Sequence, residues 1–485
     1  MVEVRAGGGT VRGASEAGVS VFRGIPFAAP PVGALRFAAP QPAPAWEGVR
    51  EALTFGPPPP QAAVFGMDEL GESGDEWLTV NVWSPDLAGD LPVMVWIQGG
   101  AYTIGMSGLP EYDGTRLALD GTVVVTFNYR VGMEGFAAIE GAPANRGLLD
   151  QVAALEWVRD NISAFGGDPG RVTIFGQSAG GGSVAALLAM PLAAGLFHRA
   201  IASSVPGVFF TPELAADIAL VCAAELGLRP TVADLSTVDP AMLPIVGDEV
   251  MAKIGQFADR WGQAAHKVIP FAPVVDGDVL PVAPWEGLTG DVDLVVGHTR
   301  HEQRLLTAIE GMLGQVTREQ AAEALRVLAP GLTYPELGPD ELFEEVCSDW
   351  LFRMPSLHLA EAQIAAGGRA HVYEVTWEPP DRFGACHGLD VPLVFGNPGR
   401  GQTAAVLGDI TPATEELSAQ MRTAWSSFAI HGDPGWPAYD PAERLTRIFD
   451  VPPAVTAYPE EVSRRIWAGH RFAPLQLIGG IPAAG

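Results

Sequence analysis

RVTIFGQSAGGGSVAALLAM, residues 171–190, reads as a strand, a sharp turn and a helix in direct succession. Val172, Ile174 and Phe175 make a short apolar run, and SVAALLAM, from Ser183, is small, apolar and suited to a helix. Between them Gly176-Gln177-Ser178-Ala179-Gly180 fits G-x-S-x-G in the strand-then-helix context that this motif requires. So tight a turn needs glycine on its flanks. It thrusts the serine hydroxyl clear of the sheet at a helix N-terminus, where free N–H groups and the helix dipole favour developing negative charge. Two other readings compete. A phosphate-binding loop needs G-x-x-x-x-G-K-[ST], and the frame from Gly176 supplies Gly181 and Ser183 but puts Gly182 where the lysine belongs. A purely structural turn accounts for the glycines but not for a serine at the apex.

Working outward, LPVMVWI (91–97) and TVVVTFNY (122–129) are continuous apolar runs that predict buried central strands. LLDQVAALEWVRDNI puts Leu148, Val152, Leu155, Val158 and Ile162 on one helical face before FGGDPG stops the helix. Strand, helix, strand, turn and helix in this order predict an α/β fold, a mostly parallel sheet with helices on both faces. Further strands are expected at VIPFAPVVDG, DVDLVVG and AHVYEVTW. The first ninety residues, broken by Pro and Gly clusters, read as short antiparallel strands and loops. Helix-like insertions are expected at about 211–270 and 303–366, and with no repeat or low-complexity linker the chain reads as one domain over residues 1–485.

Of the 485 residues 48% are hydrophobic and 18% charged, which supplies a large core and excludes a disordered chain. The net charge of −28, with Lys253 and Lys267 the only lysines, argues against a nucleic-acid partner. No apolar stretch reaches the roughly 18 residues of a membrane span, and MVEVRAGGGTVRG lacks the apolar centre of a signal peptide, so a cytoplasmic protein is expected. Cys222, Cys347 and Cys386 are isolated, without zinc or redox spacing, and read as free buried thiols. Cys386 adjoins His387, but adjacency along the chain does not supply the apposition that a Cys–His nucleophile needs.

A nucleophilic serine needs a base, an orienting acid and an oxyanion hole, and on this architecture the chain order is Ser, then Asp or Glu, then His. Pattern alone does not choose among the histidines. His387 lies in the Gly-bracketed loop FGACHGLD after a strand-like run, and Glu302 lies in GHTRHEQ directly after another, the positions where open α/β sheets carry ligand chemistry. Asp276 and Asp278 in VVDGDVLP compete for the acid role, though that segment reads more simply as a turn.

The chain resembles the type-B carboxylesterases of the α/β-hydrolase fold, the group of bacterial p-nitrobenzyl-type esterases, animal carboxylesterases and cholinesterases. The likeness runs through FRGIPFAAPPVGALRF, WIQGGAY, NYRVG, NRGLLDQVAALEWVRDNISAFGGDP, VTIFGQSAGG, GHTRHE and GACHGLDVPLVFG. It implies Ser178 as nucleophile, Glu302 as acid and His387 as base, with an oxyanion hole from the N–H groups of Gly100, Ala101 and Ala179. Ser204 and Asp390 fall where the family keeps a supporting polar network. Gln98 and Gln177 depart from it, standing where His and Glu are usual. Gln177 removes a negative charge beside the serine, which gives cationic alcohols no help and bears on deacylation. Gln98 bears on the oxyanion loop, where a mis-set donor costs about 3–4 kcal/mol. The early disulfide of secreted relatives is missing, its positions reading as the proline run 57–60 and Trp77, in keeping with a reducing compartment.

The resemblance implies a serine carboxylic-ester hydrolase acting through an acyl-enzyme on small to medium uncharged esters, needing neither metal nor cofactor, as a monomer or small homo-oligomer. A specialised hydrolase of an amide, carbamate, lactone or biosynthetic intermediate is the alternative, and a non-catalytic binding protein the third. Tyr102, Phe209, Phe210 and Trp261 are candidates to line the pocket.

Overall fold

The structure, a computed structural model, describes residues 1–62, 74–380, 383–401 and 404–479. Its strands are β1 (Val2–Ala6), β2 (Gly9–Glu16), β3 (Val19–Pro26), β4 (Val49–Glu51), β5 (Thr79–Ser84), β6 (Leu91–Ile97), β7 (Val123–Phe127), β8 (Gly167–Gln177), β9 (Arg199–Ser203), β10 (Asp293–Thr299), β11 (Ala370–Val375), β12 (Leu445–Phe449) and β13 (Ala454–Ala457). They form one sheet in the order β1-β2-β3-β5-β7-β6-β8-β9-β10-β11-β12-β13, with β4 paired to β2 off that path. From β7 to β12 every neighbouring pair is parallel. The run β1-β2-β3-β5-β7 is antiparallel, as the punctuated first ninety residues predict.

The apolar runs form the middle of this sheet because both of its faces are covered. Along β6, Val93, Val95 and Ile97 join one core while Met94 and Trp96 join the core on the other face. Helix Arg146–Asn161 covers the first face with Leu148, Val152, Leu155 and Val158. Helix Pro412–His431 covers the second with Leu417, Met421, Trp425 and Phe428. Helices populate both predicted insertions, among them Pro212–Glu225 and Met242–Lys253 in the first and Arg318–Leu328 and Met354–Ala365 in the second.

One expected strand is absent: VIPFAPVVDG is an extended segment with a single bridge, Phe210 to Val274. Pro270 and Pro273 deprive it of two ladder donors. Asn145 takes the place of a neighbouring strand, its side chain accepting from Val274 N and donating to Val274 O at 2.7 and 2.8 Å.

Candidate active site

The loops that follow β6, β8, β9, β10 and β11 converge at the carboxyl ends of the parallel strands. Ser178 follows β8 directly and begins helix Ala179–Ala189 with φ 59° and ψ −126°, a conformation costly for a residue with a side chain. The crowding explains the glycines: a Cβ on Gly176 would lie 2.5 Å from Gly180, and one on Gly180 would lie 2.0 Å from the Ile97 carbonyl oxygen. Ala101 and Tyr102, after β6, and Ser204, after β9, also hold positive φ. Strained backbone thus gathers around one point.

Glu302 is fully buried, and its carboxylate is held from three sides. Thr299 N–H and Ser204 Oγ–H donate to Oε1 at 2.8 and 2.6 Å, and His387 Nδ1 lies 2.5 Å from Oε2. Burial alone would push this carboxyl up. The electrostatic interaction with the His387 imidazole and the three hydrogen bonds outweigh burial and hold Glu302 below the usual carboxylate range. An ionised carboxylate only accepts, so Nδ1 carries the ring proton and the lone pair is on Nε2. Phe352 stacks on the imidazole with centroids 4.2 Å apart and planes at 23°. Ser178, Gln177 and His387 line one cavity of about 500 Å³, walled largely by apolar side chains such as Leu109, Val208, Ile269, Leu306, Leu351 and Val391.

Gly100, Ala101 and Ala179 line the same cavity, and among the described residues their N–H groups donate no hydrogen bond. These three N–H groups thus share the cavity with Ser178. Gln177 and Gln98 differ. The Gln177 amide nitrogen reaches the His387 ring, whereas Gln98 is fully buried and among the described residues neither of its amide atoms has a hydrogen-bond partner. Asp390 lies buried near Glu302 and His387; burial and then the Glu302 charge push its carboxyl up to about 6.

A sequence model described as the carboxylesterase family matches residues 1–329 and 339–452. The chain belongs to the carboxylesterase family. This carboxylesterase is 38% identical over 481 residues to a para-nitrobenzyl esterase of Bacillus subtilis, covering 94% of the chain and 96% of the relative. It is 36% identical over 499 residues to carboxylesterase 1D of Mus musculus, covering 89% and 85%. Its backbone resembles a solved PNB esterase with a TM-score of 0.85 at 36% identity, covering 96% of the chain and 98% of that structure. A carboxylesterase of Geobacillus stearothermophilus gives 0.85 at 33%, covering 96% and 100%. The fold is the α/β-hydrolase fold, and the protein is a carboxylic-ester hydrolase.

Asp276 and Asp278 form a turn, with Asp276 Oδ1 accepting from the N–H groups of Asp278 and Leu280. Of the four aromatic candidates only Tyr102 lines the cavity of this carboxylesterase. Phe209 packs edge-on against Trp285, Phe210 is buried at the Val274 bridge, and Trp261, bonded through Nε1 to Asp217, borders a separate cavity of about 920 Å³. The three cysteines are buried and free, and burial pushes the Cys386 thiol up to about 12, which leaves it an inert neighbour of His387. Sequence reasoning missed Phe352. It sits in the π-helical turn Asp349–Arg353, a local winding that no spacing in the chain announces.

Proposed function

We propose that Ser178 is the nucleophile of this esterase, His387 its general base and Glu302 the acid that orients the base. The observation that carries the reading is the 2.5 Å contact between Glu302 and His387 Nδ1, on the rim of the cavity that Ser178 enters. Ser178 Oγ attacks the ester carbonyl while His387 Nε2 takes its proton. Glu302 steadies the imidazolium, and the oxyanion accepts from the N–H groups of Gly100, Ala101 and Ala179. Collapse expels the alcohol, which takes the proton from His387. Water, activated by the same Nε2, then releases the acid from the acyl-serine.

The mainly apolar cavity of about 500 Å³ favours small to medium uncharged esters. The three free thiols fit a cytoplasmic setting.

The test is peptide mass spectrometry after incubation with a fluorophosphonate, on wild type, Ser178→Ala and His387→Ala. One adduct on Ser178, lost in the first variant and strongly slowed in the second, is expected. A folded wild type that takes no label defeats the assignment and brings a binding role forward. Labelling without turnover of p-nitrophenyl acyl esters points instead to a specialised amide, carbamate or lactone substrate.

A further inference from the structure

Gln177 is the last residue of β8, 6% exposed, and its side chain crosses to a loop 210 positions further along the chain. Its amide nitrogen lies 3.2 Å from Nε2 of His387 and 3.5 Å from Nδ1. An amide approaching end-on along the Nε2 lone pair would be much farther from Nδ1 than from Nε2. The near-equal distances therefore put the amide alongside the ring, with the Nε2 lone pair still open. The amide is backed by the turn after β6, where a Cβ on Gly99 would come 3.5 Å from Gln177 Oε1 and 2.8 Å from its carbonyl oxygen.

The bond from Nδ1 to Glu302 fixes one end of the imidazole but leaves it free to swing about that bond, since the terminal torsion of histidine is soft. Phe352 limits the swing across a ring face, and the Gln177 amide gives a further point of hold beside the two nitrogens. Among the described residues no hydrogen bond joins Ser178 Oγ to His387, so the serine hydroxyl does not fix the ring.

We propose that Gln177 is a positioning residue for His387, its side-chain N–H holding the imidazole in the plane from which Nε2 reaches Ser178. The proposal rests on reading His387 as the general base. Gln177 acts through that ring and needs no contact with the ester.

Gln177→Met keeps the length of the side chain and removes the N–H; Gln177→Leu also removes it, on a shorter uncharged side chain. Each is expected to lower kcat on p-nitrophenyl acetate by about 10- to 100-fold while KM stays within about twofold. Fluorophosphonate labelling of Ser178 should slow by a similar factor, because that step uses the same base. The melting temperature, measured alongside, identifies a variant that fails to fold, and the other then carries the test. A folded variant with kcat within about twofold of wild type overturns the proposal. So does a raised KM at unchanged kcat, which would make Gln177 a substrate contact. Failure of the parent reading is separate, since it appears as unlabelled wild type or as a His387→Ala variant that labels normally.

Discussion

Two charge clusters adjoin loops of the site, one buried throughout and one with a partly exposed edge, and they meet the cost of burial in opposite ways. One adjoins the loop after β6 and holds Arg36, Arg130, Arg146, Glu134 and Asp150. Arg130 and Asp150 are fully buried and joined by three hydrogen bonds of 2.7–3.0 Å. Arg146, the surplus cation, donates to the carbonyls of Met133, Glu134, Ala137 and Pro143. The cluster is tied to that loop through Tyr129 Oη, donating to the Gln98 carbonyl at 2.7 Å, and Gly132 N, donating to the Tyr102 carbonyl at 2.7 Å.

The other cluster lies behind Glu302 and holds Arg300, Arg353, Glu345, Asp349, Glu374 and Glu460. Arg353 pairs with Asp349 at 2.7 Å and donates to the Arg300 carbonyl at 3.3 Å, so it ties the turn that bears Phe352 to the loop that bears Glu302. Here the surplus is acidic. The surplus guanidinium of the first cluster donates to carbonyl oxygens, whereas among the described residues none of these four carboxylates accepts from a backbone N–H, and their hydrogen bonds come from side chains alone. Burial and then the Glu460 charge push Glu374 up to about 8, and burial pushes Asp349 up to about 6.

Asp150→Ala should have the largest effect, about 3–5 kcal/mol of stability, because it leaves Arg130 buried without its carboxylate. Denaturant unfolding measures it, and a loss below about 1 kcal/mol would mean that carbonyl oxygens suffice for that cation as well. Arg353→Met should cost about 2–4 kcal/mol at pH 8 and less at pH 6, where the deserted carboxylates take up protons. An equal loss at both pH values would break the contrast between the clusters.

Glu374→Gln should do the reverse and stabilise. The folded carboxyl titrates near 8 and the unfolded one near its ordinary value of 4.5, so the folded state keeps a proton that the unfolded state releases. The stability this contributes is whole below pH 4.5 and drains away as pH rises to about 8. The variant should therefore exceed wild type by about 1–3 kcal/mol at pH 9 and match it near pH 5, read from melting curves. A difference independent of pH would show that Glu374 is ionised throughout.

The two clusters also differ in how far they can be read from the chain. Arg130, Arg146 and Asp150 fall within the motifs NYRVG and NRGLLDQ, close to the apolar runs that predict β7 and its covering helix. The second cluster collects residues from 300 to 460; Glu345, Asp349 and Arg353 share a helical i, i+4 spacing, but no spacing relates them to Arg300, Glu374 or Glu460. The site divides in the same way. G-x-S-x-G in its strand–turn–helix context marks Ser178, and the loops after strand-like runs mark Glu302 and His387, although pattern alone leaves Asp276 and Asp278 in contention. Nothing in the chain marks Phe352 or the reach of Gln177 to the ring. The segment VIPFAPVVDG misleads because its apolar run suits a strand while its prolines cannot support one.

By itself the sequence determined the alternation of parallel strands and helices, the turn that strains Ser178 outward, and the kinds of group available to serve it. These are local properties, set by apolar periodicity and by the glycines a tight turn requires. Folding settled which carboxylate meets His387, which ring stacks on it, that Gln177 lies beside it while Gln98 has no partner among the described residues, and which buried acid keeps its proton. Those outcomes depend on distances between loops that meet only when the sheet is assembled, and on the low dielectric that assembly creates around them.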